Sequence, residues 1–300
     1  MTNTQRGRTA GMRQLLHREV AGTIGLLADE QDFTAMRRYR SFTFPDHETY
    51  LRQVEGLLKS RAAIGGHTSI ALFDPEEYAE FCAETGIEPD APASRSRFTA
   101  ELASAGPSIP YEGQPLSDLV PDLVEEAVRQ ATWEYATTLV SRVGPCPVCG
   151  EDVGRLAFAR ASYLVARVID AIGDGTHHWV CSVPTGRETL HAVLHVDASE
   201  PGRVTLDETE AMELTTVLAL AIVTRTPCGL VLRTTSPGRT ARVYGWHLKD
   251  ESLDPLTGAQ VFDAYCVDAD SGDLKAPDPH LDYCTAPDVA DGDPEGRHRH

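Results

Sequence analysis

The segment VLALAIV at 217–223 has no polar face. A helix that is apolar on every side is stable only where other elements cover it, so this stretch has to sit at the centre of a layered domain. Asp207 followed by Glu210 is a capping-box-like start, which predicts a helix from Asp207 through about Val223. HHWVCSV (177–183) and ETLHAVLHV (188–196) alternate apolar with polar residues around Pro184-Thr185-Gly186-Arg187, the pattern of a β-hairpin with one buried face. GLVLRTT and TARVYGWHL repeat it around Ser236-Pro237-Gly238-Arg239, a natural type II turn. A further helix is expected over 155–172, closed by Gly173, and a last one over 255–266. The second half therefore reads as α+β, with two β-hairpins around a buried helix.

The first half has a different rhythm. Leu15, Val20, Ile24 and Leu27 predict a helix over 11–37 with a break near Asp29, and SFTF (41–44) predicts a short strand. Asp46 is placed to cap a second helix bearing Tyr50, Val54, Leu57 and Leu58, which Gly65-Gly66 ends. HTSIALF (67–73) reads as a buried strand, and Asp74-Pro75 opens another helix as N-cap and first helical residue. Strand and helix in alternation predict an α/β unit. A Pro- and Gly-rich stretch at 86–115 holds a short helix near 95–104, and a long helix is expected from Pro121 to Arg142. Gly144 suits its left-handed C-cap and Pro145 forbids continuation. That punctuation predicts an α/β domain over 1–143 and an α+β domain over 144–270. Residues 271–300, rich in Asp and Pro, are expected to be a disordered acidic tail with too little apolar surface to offset ordering entropy.

Charge restricts the partners. The chain carries 27 basic and 45 acidic side chains, a formal net charge of −18. Residues 67–136 hold 3 basic against 14 acidic groups, and 250–300 hold 3 against 13. General binding to nucleic acid or to an anionic membrane needs clustered Lys and Arg and is not expected. No stretch approaches the roughly 20 apolar residues of a membrane span. Arg13, His17, Arg18 and Glu19 interrupt any secretory apolar region. The 7 scattered cysteines, odd in number, fit reduced thiols in a cytoplasm. A protein partner is the remaining expectation.

One motif carries recognisable chemistry. Cys146-Pro147-Val148-Cys149-Gly150 puts two thiolates two residues apart in a tight turn, where both reach one cation. Over these five residues the chain resembles a zinc-ribbon knuckle, which implies Zn2+. A tetrahedral zinc shell needs two more ligands. His178 and Cys181 repeat the two-residue gap, so the expected set is Cys146, Cys149, His178 and Cys181. A redox role fits less well, since the cysteine pair follows a helix C-cap and not a strand.

The hairpin tests that set. If Val183 stands opposite Glu188, alternation puts His178, Val180, His191, Val193 and His195 on one face, and Cys181 with Trp179, Val183 and Leu190 on the other. In that register His178 and Cys181 share an ion only across a bulge. His178, His191 and His195 then form an alternative three-histidine cluster of the kind that holds catalytic zinc. P-loop, GxSxG, HExxH and a GxGxxG after a strand are all missing from the sequence. The expected function is that of a regulatory or protein-interaction protein with a structural zinc knuckle. The alternative is a metal-dependent, hydrolase-like enzyme using the histidines of 177–196.

Overall fold

A computed structural model describes residues 22–186, 188–249, 251–266, 278 and 280–289. The chain divides into two units, Met1–Gln130 and Ala131–His300.

In the first unit Gly22–Leu26 is a strand (β1), where a helix over 11–37 was expected. It runs parallel to Thr68–Leu72 (β2), and a Cβ on Gly25 would stand 2.8 Å from the Phe73 ring, so only glycine fits this close approach. The helical expectation survives as Glu30–Met36 (α1), with Asp29 accepting the Asp32 N–H as its cap, while 11–21 lie outside the described residues. SFTF makes no strand; Phe42 and Phe44 turn their rings onto Tyr50 instead. Asp46 caps His47–Ala63 (α2) and Asp74 caps Pro75–Thr85 (α3), each through its own carboxylate, as their positions predict. Pro92–Ala105 (α4) follows, and Ser108–Pro110 (β3), unforeseen, pairs antiparallel with β2. Leu26, Phe33, Leu58, Ile70, Tyr78 and Phe98 centre the core of this α/β unit.

The helix Leu116–Ser141 (α5) starts five residues before Pro121, which lies inside it. Leu116, Leu119 and Leu123 belong to the first core, whereas Ala136 belongs to the second, joined by Tyr135 and Leu139. The division between Gln130 and Ala131 therefore falls within this helix and not at 143. Gly144 and Pro145 end a helix, but core membership is decided by packing.

The second unit is α+β, as expected. After Val153–Ile172 (α6) come Gly175–Pro184 (β4), Thr189–Ala198 (β5), Thr205–Leu206 (β6), Glu208–Thr224 (α7), Cys228–Thr235 (β7) and Ala241–Lys249 (β8). Ser252–Pro255 (β9), Gly258–Tyr265 (α8) and Leu281–Tyr283 (β10) complete it. The strand order is β10-β8-β7-β4-β5-β6, with β9 also on β8. The apolar segment of α7 is the buried centre: Leu214 and Val217 through Leu220 are at most 1% exposed, packed against α6 and the inner faces of β4 and β5. Val261 of α8 and Leu256 cover part of the opposite face of the sheet, beside Val243 of β8, Val231 of β7 and Leu281. No helix among the described residues is long and apolar enough to cross a membrane.

The expected disordered tail is corrected for its middle. β10 pairs in parallel with Ala241–Val243, the side chains of Leu281, Ala286 and Val289 are buried, and Trp246 Nε1 donates to the Pro287 carbonyl at 3.0 Å. A few apolar residues suffice here because an open edge of β8 and an unsatisfied indole N–H await them. Residues 271–277 and 290–300 lie outside the described residues.

His177 pins β4 to the end of α6. Its ring is fully buried; Nε2–H donates to the Gly173 carbonyl at 3.1 Å, and Nδ1 accepts from the Thr234 hydroxyl at 3.0 Å. A carbonyl can only accept, which fixes the tautomer. Burial, above all, holds its pKa below the ordinary histidine value, so the folded ring is neutral.

Two outcomes follow from this packing. A chain ending at residue 270 lacks Leu281 and Val289 and bares the Val243 and Trp246 surfaces they pack with, at about 1.5–3 kcal/mol for each buried side chain lost. Its chemical denaturation should show a loss of at least about 2 kcal/mol; an unchanged midpoint overturns the packed tail. For His177, the unfolded chain takes up the proton first. Stability is therefore full above about pH 6.5 and falls as pH drops towards the lower folded pKa. Between pH 7 and 5, wild type should lose stability more steeply than His177→Gln, by up to about 1.4 kcal/mol per pH unit; parallel curves would refute the assignment.

Candidate functional site

The knuckle forms as a turn. Cys146 N–H donates to the Glu151 carbonyl at 2.7 Å, Gly150 N–H donates back to the Cys146 carbonyl at 2.8 Å, and Pro145 bridges Asp152 antiparallel. Gly150 takes φ 75°, the left-handed conformation that the glycine of CPxCG supplies without steric cost. Cys146 is buried, Cys149 exposed, and Val148 at the tip is 93% exposed.

The other two expected zinc ligands are not brought to it together. β4 sends His178 to the exposed face of the sheet and Cys181 into the core. Cys181 Sγ lies 3.5 Å from Cys228 Sγ, both thiols buried, and this hydrogen bond together with burial pushes the Cys181 pKa up. A thiol kept protonated among apolar side chains is neither a metal ligand nor a nucleophile. The four-ligand set of Cys146, Cys149, His178 and Cys181 is therefore corrected: neighbours two apart on an extended strand share a face, and three apart do not.

The three-histidine alternative is corrected too, by a shift of register. Val183 faces Leu190 and Pro184 faces Thr189, so the turn lies one residue beyond the expected position. Thr185 sets it there: its N–H and hydroxyl both donate to the Glu188 carbonyl, at 2.7 and 2.6 Å. The faces survive, because each strand moves by a whole pair. The neighbours change. His178 stands directly opposite His195, with ring centroids 4.7 Å apart, while His191 stands opposite Ser182 and bonds its hydroxyl at 3.0 Å. Among the described residues no three His, Cys, Asp or Glu side chains form a group that could hold a metal ion.

The exposed face is ordered in rows. His195, His178 and Arg233 lie side by side across β5, β4 and β7; next come Val193, Val180 and Val231, then His191, Ser182 and Gly229. Burial, followed by the charges of His195 and Arg233, lowers the His178 pKa, against the pull of Glu210.

Glu210 escaped the sequence reading as a functional residue. Asp207 does cap α7, accepting from the Thr209 and Glu210 N–H groups. The Glu210 carboxylate turns to β5, where it accepts the His195 backbone N–H at 2.8 Å and the ring Nδ1–H at 3.1 Å. β6 pairs only with Val196 and Asp197, so this carboxylate meets the strand just where β6 gives out. Only the register of two strands and a helix start could have revealed it.

Residues 11–114 match a family described as a domain of unknown function (DUF8829), which spans most of the first unit and none of the second. No curated protein and no solved structure matches the chain.

Proposed function

We propose that the protein is a non-catalytic, regulatory interaction protein whose second unit receives an extended segment of a protein partner along β5. One observation carries this reading. β6 covers only Val196 and Asp197, so the N-terminal two thirds of a ten-residue edge strand has no strand beside it among the described residues. Unpaired N–H and C=O groups of an edge are a template for an added strand. Val204, Leu206 and Met212, 37–50% exposed, belong to the segments flanking that edge and suit apolar side chains of a partner. Asp197, Glu200, Asp207, Glu208 and Glu210 are acidic against Arg203 alone, so the partner segment alternates apolar with basic residues. The same reading keeps zinc on Cys146 and Cys149, supported by the knuckle's turn, and drops His178 and Cys181 as its other ligands. The enzyme alternative called for three histidines together, and His191 stands opposite Ser182, apart from His178 and His195.

A panel of ten-residue peptides alternating valine with lysine or with glutamate tests the edge. The His195 N–H points away from β4, and so, two residues earlier, does that of Val193. Val193→Pro therefore removes an outward donor at a position where an edge tolerates proline. The lysine series should bind and slow exchange of β5 amides, the glutamate series should not, and Val193→Pro should abolish binding while the fold persists. Protection elsewhere, or equal binding by the proline variant, sinks the proposal. For the knuckle, protein purified reduced and without chelator, then dialysed free of weakly held metal, should retain about one zinc per chain. Cys181→Ser should keep it and Cys146→Ser with Cys149→Ser should lose it; metal-free wild type would falsify this part.

A further inference from the structure

We propose that His178 and His195 form a second metal site, independent of the knuckle, for a borderline divalent transition cation such as Ni2+ or Zn2+. The two residues are directly opposed on neighbouring antiparallel strands, and their rings approach to 4.7 Å between centroids at 30° between planes. Such a separation lets one cation reach a nitrogen of each ring after small side-chain rotations. Both rings are on the exposed face, and the His195 side chain is 60% exposed, so an ion and its remaining waters have access.

The third element is Glu210. A carboxylate can only accept, so His195 Nδ1 carries the proton and its Nε2 keeps a free lone pair. Carboxylate, imidazole and metal in line is the arrangement that fixes tautomer and ring orientation and raises ligand basicity. Glu210 is itself held, since its oxygen also accepts the His195 backbone N–H and its own N–H is bonded to Asp207 at the start of α7. It is a positioning residue and not a ligand. Arg233, opposite His178 on β7, is a like charge that limits affinity. Imidazole donors select Ni2+, Cu2+ and Zn2+ over the hard cations Mg2+ and Ca2+.

The test titrates Ni2+ alone into the full chain carrying Cys146→Ser and Cys149→Ser, which removes the knuckle, with heat and histidine side-chain 15N spectra as readouts. Binding at one equivalent is expected, with Zn2+ shifting ring-nitrogen signals of His178 and His195. On the same background His178→Ala or His195→Ala should weaken Ni2+ at least tenfold, Glu210→Gln about tenfold, and His191→Ala not at all. Absence of binding, or binding indifferent to His178→Ala, overturns the site. Equal loss in His191→Ala overturns it in favour of a three-histidine centre, and an unaffected Glu210→Gln removes the role given to the carboxylate. If an alanine variant fails to fold, the 15N spectra of the background chain still decide which rings meet the ion.

Discussion

A helical segment with no polar side dictates the second unit. Residues 217–223 of α7 have to be covered, and α6 with the inner faces of β4 and β5 does this through Leu164, Trp179, Cys181, Leu194 and their neighbours. The sheet thereby commits one entire face to burial. On the other, α8 and Leu256 cover β8 and Val231 of β7, and β4, β5 and the rest of β7 are left to present histidine, valine, serine and arginine outward. The chemistry of the unit is on that outer face because the inner one is fully used by packing.

Adjacent residues meet opposite fates through this two-sidedness. His177 is buried, neutral and held at both nitrogens; His178, one residue on, stands in the open beside His195 and Arg233. Cys181 goes the way of His177 and meets Cys228 in the core. A pattern such as His-x-x-Cys, which in a turn would place two ligands together, is split by an extended strand.

Glu210 joins two levels of structure. Near the N-terminus of α7 its carboxylate is favoured by the positive end of the helix dipole. From there it reaches the edge of β5 and satisfies a backbone N–H that a longer β6 would have taken. One side chain thus finishes the strand, orients a histidine ring and marks where the unpaired edge begins.

Periodicity and end signals were legible in the amino-acid order. Asp46, Asp74 and Asp207 cap the helices that their positions predict, and the alternation of 177–183 and 189–196 assigns the side chains of those two strands to the faces they occupy. These features depend on neighbours within a few residues. What escaped depends on partners distant in the chain. Gly22–Leu26 is a strand because β2 lies beside it, Leu281–Tyr283 is ordered because β8 offers an edge, and α5 belongs to two cores because each end meets different side chains. The candidate site divides in the same way. The sequence alone determined that His178, His191 and His195 share a face, since alternation requires it. Only the tertiary structure decided that His178 pairs with His195 and Glu210 while His191 pairs with Ser182, because one residue's difference in a turn selects which side chains touch.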